Sequence, residues 1–176
     1  MTISTKVDVD NIPAELKAIP RWGPWRPIPK VDADGKPVLD ADGFQKYDKK
    51  PRFSTAKPEE WLPFEEAMAM RKKGHGIGLC VTGLEDYVVF DLDRCLADGV
   101  PKPWAADIMV RVGGYCEVSP SGRALRIVAR GTYPDGDWIN NEVGLECYVG
   151  SGGRFLTFTG DVWPCMEDIA RAPLGQ

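Results

Sequence analysis

The sequence predicts a mixed α/β fold, an α+β arrangement built on an antiparallel or mixed sheet. Short apolar runs with two-residue alternation are interspersed with stretches whose apolar residues recur at helical spacing. Fifteen prolines and 19 glycines among 176 residues indicate many turns and short elements. Because 43% of the residues are hydrophobic, the chain can bury a real core, and we expect one domain with two lobes.

The N-terminal part predicts short, irregular elements. Its predicted elements are a loose tail over residues 1–10, a helix over Pro13–Ala18 capped by Asn11, an edge strand at Trp22–Pro29 and a helical stretch that begins near Pro58 or Pro63 and ends at Gly74. Two near copies of the motif D-A-D-G, at 32–35 and 40–43, predict tight turns. A calcium loop is the alternative there, but an EF-hand places its glycine later and ends in a glutamate.

The C-terminal part predicts mainly strands. We expect Gly76–Gly83 and Tyr87–Asp93 to pair through a short turn. A helix is predicted over Trp104–Val112, since a proline precedes it and two glycines follow it. The remaining predicted elements are strands at Tyr115–Val118, Ala124–Ala129, Leu145–Val149 and Arg154–Thr159, and a closing helix from Pro164 to about Arg171.

Composition argues against several classes of protein. A net charge of -4 provides no overall field that favours nucleic acid, so such binding requires a local basic patch or a metal. The five cysteines occur singly, which argues against a disulfide framework and a zinc site. We find no signal-peptide core and no segment of membrane-span length, and therefore expect a cytoplasmic protein without membrane contact.

The run VVFDLDRCL, residues 88–96, is the most informative segment of the chain. Side chains two residues apart on a strand point to the same face, so Asp91 and Asp93 are expected to project together where a buried strand reaches the surface. Adjacent carboxylates suit a hard divalent cation such as Mg2+, which favours phosphoryl or nucleotidyl transfer. The alternative is a strand that ends in a solvated acidic turn.

Two further segments supply groups for the same chemistry. The turn S-P-S-G at 119–122 can present hydroxyls and backbone N–H groups to phosphate oxygens, and Arg126 follows it on a predicted strand. Alternation in the next strand places Glu146 on a polar face. If these strands share a sheet, Asp91, Asp93 and Glu146 form a three-carboxylate cluster able to hold one or two divalent ions.

Four segments in this order resemble the primase-polymerase domain at the N-terminus of phage and plasmid replication proteins, a branch of the archaeo-eukaryotic primase superfamily. They are GIGLCVTG, VVFDLDRCL, SPSGRALRIVARG and LECYVGSGGRFLTFTG. The resemblance also takes in the tryptophan-rich opening and the 54–67 region. It implies a catalytic lobe related to the RNA-recognition motif, over about 76–172, and a smaller N-terminal α/β lobe over about 11–75.

The resemblance also implies roles for individual residues. Asp91, Asp93 and Glu146 match the family's metal-binding acids, with Mg2+ or Mn2+ as the cofactor. The nucleotide-binding residues implied are Ser119, Ser121, Gly122, Arg126 and Arg154, where Arg126 stands at a position that is usually histidine. Lys49, Lys50 and Arg52 are candidate nucleic-acid contacts.

The activity implied is DNA primase and DNA polymerase activity, a nucleotidyl transfer on a single-stranded DNA template with dNTPs or NTPs. The setting is phage or plasmid replication in the host cytoplasm, alongside a replicative helicase domain or protein.

Two alternatives remain at this point. A non-catalytic module that binds nucleotide or single-stranded DNA is favoured by Arg126 at the histidine position and by the acidic net charge. A haloacid-dehalogenase-type phosphatase would use Asp91 as nucleophile and Asp93 as general acid and base. That class usually has a parallel sheet, with a lysine and a later acid pair downstream, which this chain does not match.

Overall fold

Two antiparallel sheets form the frame of the molecule in a computed structural model that describes residues 3–150 and 152–163. The strands are β1 (Trp22–Pro29), β2 (Tyr47–Pro51), β3 (Gly76–Cys80), β4 (Tyr87–Leu92), β5 (Leu96–Ala97), β6 (Val100–Pro101), β7 (Tyr115–Val118), β8 (Leu125–Arg130), β9 (Trp138–Asn140), β10 (Leu145–Tyr148) and β11 (Phe155–Phe158). The helices are α1 (Ala14–Lys17), α2 (Phe64–Ala69) and α3 (Pro103–Val112). The predicted mixed α/β class is confirmed.

The first sheet has the strand order β11-β3-β1-β2, and the second has the order β7-β8-β4-β10-β9. The predicted hairpin between the strands at Gly76–Gly83 and Tyr87–Asp93 is therefore wrong, because β3 and β4 belong to different sheets. Two glycines of β3 leave room for aromatic rings of the neighbouring strands β1 and β11. A Cβ on Gly76 would lie 2.4 Å from the Trp25 ring, and one on Gly78 would lie 2.7 Å from the Phe155 ring. These rings occupy the space that side chains of β3 would need.

Strands from both ends of the chain build the first sheet. β1 and β2 precede residue 75, whereas β3 and β11 follow it. The lobe boundary expected near residue 75 therefore does not coincide with a boundary between the sheets. The closing helix predicted from Pro164 lies outside the described residues.

Helix α3 covers one face of the second sheet. Its buried residues Ala105 and Met109 pack in a cluster with Leu125 and Ile127 of β8. A larger cluster joins the other face of this sheet to the first sheet and includes Val128, which alternates with Ile127 along β8. Residues of β8 that share the phase of Val128 consequently face the interior between the sheets.

The N-terminal residues 3–10 are not the loose tail that the sequence predicts. The backbone N–H of Ser4 donates to the Pro120 carbonyl at 2.8 Å, and that of Asp8 donates to the Thr159 carbonyl at 2.7 Å. Val7 and Val9 pack against the main core. Burial of these apolar side chains offsets the entropy lost when the segment is fixed. No helix within the described ranges is long and apolar enough to cross a membrane.

Candidate active site

A line of charged side chains crosses the second sheet and forms the centre of the site. Glu117 pairs with Arg126, Arg126 pairs with Asp91, and Asp91 pairs with Glu146 in the strand register. Directly opposite residues on neighbouring strands have Cβ atoms about 4.5–5.5 Å apart and share a face. We call these four residues the inner charged row. The predicted proximity of Asp91 and Glu146 is thus present, because β4 and β10 are neighbours.

Arg126 is held entirely by protein groups. Its Nε and Nη2 atoms donate to the two carboxylate oxygens of Asp91 at 2.8 and 3.0 Å. Its Nη1 atom donates to the Thr157 backbone carbonyl and, at 3.2 Å, to the Thr157 hydroxyl. Only 4% of Arg126 is exposed. Burial disfavours its charge, but the carboxylates of Asp91, Glu117 and Asp93 together outweigh this effect and the pKa of Arg126 is raised.

Asp93 lies in the turn after β4, where the chain leaves the sheet. Its backbone N–H donates to the Gly144 carbonyl at 2.7 Å. Desolvation, followed by the negative charges of Asp91 and Glu146, raises the pKa of the Asp93 carboxyl, against the effect of Lys49 and Arg126. Asp93 therefore interacts electrostatically with three members of the inner charged row, namely Asp91, Glu146 and Arg126.

The predicted three-carboxylate cluster is not arranged as a metal-ligand set in this structure. Among the residues described, no group of three or more His, Cys, Asp or Glu side chains has a geometry that could hold a metal ion. Both oxygens of Asp91 accept hydrogen bonds from Arg126, and Glu146 accepts one from the Tyr148 hydroxyl. The carboxylates are near one another, but protein donors compete for their oxygens. Their donor chemistry still fits a hard cation.

Glu117 is a member of the row that the sequence reasoning missed. It is fully buried and accepts hydrogen bonds from the Tyr115 hydroxyl at 2.8 Å and from the Gly160 N–H at 2.9 Å. Burial raises its pKa, and Arg126 opposes that shift. The strand alternation around Tyr115–Val118 was the available signal, since it places Glu117 in phase with Tyr115.

The three predicted nucleic-acid contacts do not share a face. Lys49 is half-buried and Lys50 is exposed, because side chains of β2 alternate. Lys49 lines a pocket with Asp91 and Arg126, and its pKa is lowered first by burial and then by Arg126. Arg52 is in phase with Lys50, on the side of the first sheet away from Lys49.

Arg154, predicted to bind nucleotide, lies beside Tyr148 of β10. Its guanidinium stacks over the Tyr148 ring, with 4.5 Å between the guanidinium carbon and the ring centroid. Together with Lys49, Asp91 and Arg126 it lines a pocket of about 160 Å³. Three cations therefore surround Asp91 on this side of the site.

The S-P-S-G turn is largely occupied by its own hydrogen bonds. The Gly122 N–H donates to the Ser119 carbonyl at 2.8 Å, and the hydroxyls of Ser119 and Ser121 are 2.8 Å apart. Ser119 and Gly122 line a pocket of about 240 Å³ beside the N-terminal segment. Ser121 lines this pocket and also the larger cleft at Asp93. Of the turn residues, Ser121 alone lines that larger cleft.

A hairpin finger over residues 30–46 forms one wall of that larger cleft, which has a volume of about 510 Å³. Arg123 forms ion pairs with Asp40 and, at 3.1 Å, with Asp42, and its guanidinium carbon lies 4.2 Å from the Phe44 ring centroid. The cleft is lined further by Lys46, Lys49, Arg94, Asp93 and Ser121. The contact between Arg123 and the finger was not predicted, because it joins segments 81 residues apart.

The two D-A-D-G motifs are turns, as predicted. Asp40 accepts hydrogen bonds from the backbone N–H groups of Asp42 at 3.0 Å and Phe44 at 2.9 Å. Asp32 accepts equivalent bonds from residues 34 and 36. These carboxylates cap their own turns, which is the usual role of aspartate in such loops.

The chain is similar to a DNA primase-polymerase from Nitratiruptor phage NrS-1, with 31% identity over 172 residues. The aligned part is 93% of this chain and 23% of that relative, so the chain spans about a quarter of the relative's length. No family model matches the chain. The similarity confirms the predicted resemblance to a primase-polymerase domain. The phosphatase alternative is disfavoured, since β4 pairs antiparallel with both neighbours and the expected parallel sheet is missing there.

Proposed function

Because this chain is homologous to part of a phage DNA primase-polymerase, we propose that it is a metal-dependent nucleotidyltransferase acting on a single-stranded DNA template. The observation that carries the proposal is the pairing of Asp91 with Glu146 beside Asp93, at a cleft lined by several cations. Phage or plasmid replication is the proposed setting. The replicative helicase partner remains a prediction from the resemblance.

The proposed reaction joins a primer or initiating 3′-hydroxyl to an incoming nucleotide. The 3′-hydroxyl loses its proton to water and its oxygen bonds to the α-phosphorus. The bond from this phosphorus to the bridging oxygen of the β-phosphate breaks, and pyrophosphate leaves. Mg2+ or Mn2+ held by Asp91, Asp93 and Glu146 would neutralise phosphate charge and favour the deprotonated 3′-hydroxyl. Lys46 and Lys49 line the cleft beside Asp93 and are suited to bind the triphosphate.

Arg126 has a specific place in this proposal. It supplies a positive charge beside Asp91, through the two hydrogen bonds at 2.8 and 3.0 Å. A divalent ion at Asp91 would share these carboxylate oxygens with Arg126, since each oxygen keeps a second lone pair. Arg126 would neutralise charge beside this ion, and the nucleotide-binding role predicted for it requires a phosphate oxygen to reach its guanidinium.

A non-catalytic module that binds nucleotide or single-stranded DNA is the second candidate. The observation that favours it is the same Arg126–Asp91 pair, because the guanidinium already compensates the charge of a carboxylate needed for metal binding. Such a module binds DNA but adds no nucleotides.

Incorporation of labelled dNTPs and NTPs on single-stranded DNA, with and without primer, tests the proposal. The reactions contain Mg2+ or Mn2+ and compare the wild type with Asp91→Asn/Asp93→Asn. The matched control is Asp107→Asn, an exposed carboxylate on α3. We expect the double variant to lose incorporation and the control to keep it. No incorporation by a folded wild-type protein that binds DNA would favour the second candidate.

A further inference from the structure

The face of the first sheet opposite Lys49 carries a separate group of cations. Arg26 on β1 pairs with Lys50 on β2. On the other neighbouring strand, Gly76 pairs with Trp25. Because these strands are antiparallel, His75 lies opposite Arg26, on the side away from Lys50. Arg52 follows Lys50 by two residues and has the same phase. We call Arg26, Lys50, Arg52, Lys72 and His75 the outer cationic face.

A cleft of about 430 Å³ lies on this face, at the C-terminal end of α2. Arg52, Lys72 and His75 line it together with Met70, which is 61% exposed. Exposed apolar surface beside cations suits a ligand that has both phosphates and bases. This combination distinguishes the face from a surface that carries charge alone.

The cations of this face are available to a ligand. Within residues 3–150 and 152–163, Arg26, Lys50, Arg52 and Lys72 form no ion pair. The cleft contains two acids, Glu59 and Glu60. Glu60 already accepts a hydrogen bond from the Ser54 N–H at 2.7 Å and pairs with Lys57 at 3.3 Å.

The local field on this face is positive although the chain as a whole is acidic. Burial lowers the pKa of His75, and four nearby cations add to the effect, namely Arg52, Lys72, Arg26 and Arg71. The Nη1 atom of Arg71 is buried and has no hydrogen-bond partner among the described residues. An anion at this face would lower the repulsion among these groups.

We propose that the outer cationic face binds the phosphate backbone of single-stranded nucleic acid, away from the carboxylate site. The partner class rests on the proposed function. A polyanion suits a row of cations without ion pairs, and the chain's net charge of -4 confines such binding to a local patch. The face therefore holds a part of the strand that does not occupy the cleft at Asp93.

Fluorescence anisotropy of a labelled oligothymidylate, measured with EDTA over a series of salt concentrations, tests this inference. The test variant is Arg52→Glu/Lys72→Glu. The control is Lys102→Glu/Arg111→Glu at α3, which changes the net charge equally. We expect at least a tenfold loss of affinity and a salt slope smaller by about 2 for the test variant only. Equal losses in both variants, or no loss in either, would overturn the inference.

The experiment separates this inference from the proposed function, because binding in EDTA needs no catalysis. If the test variant binds the oligonucleotide as tightly as the wild type while the wild type incorporates nucleotides, the outer cationic face alone is refuted. If the test variant loses binding but the wild type incorporates no nucleotides, the proposed reaction alone is refuted. Binding of an acidic peptide in place of the oligonucleotide would also overturn the inference. A circular dichroism melt of each variant verifies that it is folded.

Discussion

The inner charged row and the outer cationic face differ in how their charges are compensated. In the row, Arg126 is buried and both Asp91 oxygens bind it, and Glu117 is fully buried among protein donors. On the outer face, Arg26 and Lys50 are exposed and form no ion pair within the described ranges. Buried charges must be paired inside the protein, whereas exposed charges are compensated by solvent and are free to bind a ligand.

The largest expected effect is the loss of stability when the inner row loses its cation. Arg126→Leu leaves the Asp91 and Glu117 carboxylates without their neighbouring positive charge. We expect the free energy of unfolding to fall by about 3–5 kcal/mol. Urea denaturation measures the change.

Arg130→Leu is the matched control, because Arg130 lies on the same strand and pairs with Glu15 at 2.8 Å, but is 54% exposed. Exposed pairs contribute about 0–1 kcal/mol, so the control should lose little stability. Similar losses in the two variants would contradict the distinction between buried and exposed charges.

A smaller effect is expected at Gly144, which lies against Asp93 beside the inner charged row. Gly144 has φ +77°, and a Cβ there would lie 3.0 Å from the Asp93 carbonyl oxygen. Gly144→Ala is expected to cost about 1–3 kcal/mol in the free energy of unfolding and to reduce incorporation by displacing Asp93.

Gly136→Ala is the control that separates the effect of the contact with Asp93 from the effect of backbone strain. Gly136 has φ +75°, and a Cβ there would meet nothing within 4 Å. We expect a similar strain cost but unchanged incorporation. If Gly136→Ala impaired incorporation equally, the Asp93 contact would not explain the effect.

The two adjacent lysines of β2 lie on opposite faces of the sheet, so they test the difference between the two regions. Lys49 lowers the pKa of Asp93, whereas Lys50 is on the other face. Lys49→Met should raise the pKa of Asp93 further, because it removes a nearby positive charge, and Lys50→Met should leave it unchanged. Carboxyl carbon chemical shifts followed over pH measure this, and equal shifts in both variants would refute the assignment of faces.

The smallest expected effect is on His75, the single histidine in the chain. Its pKa lies below the ordinary 6.5, because burial and nearby cations disfavour the charged ring. The stability that it contributes is therefore present above pH 6.5 and decreases as the pH falls through the lowered pKa.

An oligonucleotide bound to the outer cationic face should raise the His75 pKa toward its ordinary value. The imidazole resonance of a one-histidine protein reports this directly in an NMR titration. An unchanged pKa at saturating oligonucleotide would place the binding site elsewhere.

Local periodicity accounts for the parts of the fold and site that could be predicted. The two-residue spacing in Val88–Asp93 and the alternation in Leu145–Val149 predicted strands that carry Asp91 and Glu146, and the D-A-D-G motifs were correctly interpreted as turns. The helix expected at Trp104–Val112 is α3, with almost the same bounds. Each of these features depends on residues only a few positions apart.

The sequence by itself determined the α/β class, the D-A-D-G turns and helix α3. The tertiary structure alone decided that β3 joins β1 and β11, that Arg126 binds Asp91, and that Glu117 completes the inner charged row. It also separated Lys49 from the outer cationic face. The physical reason is range, because propensity and alternation act between near neighbours, whereas strand pairing and charge compensation join residues that only the folded chain brings together.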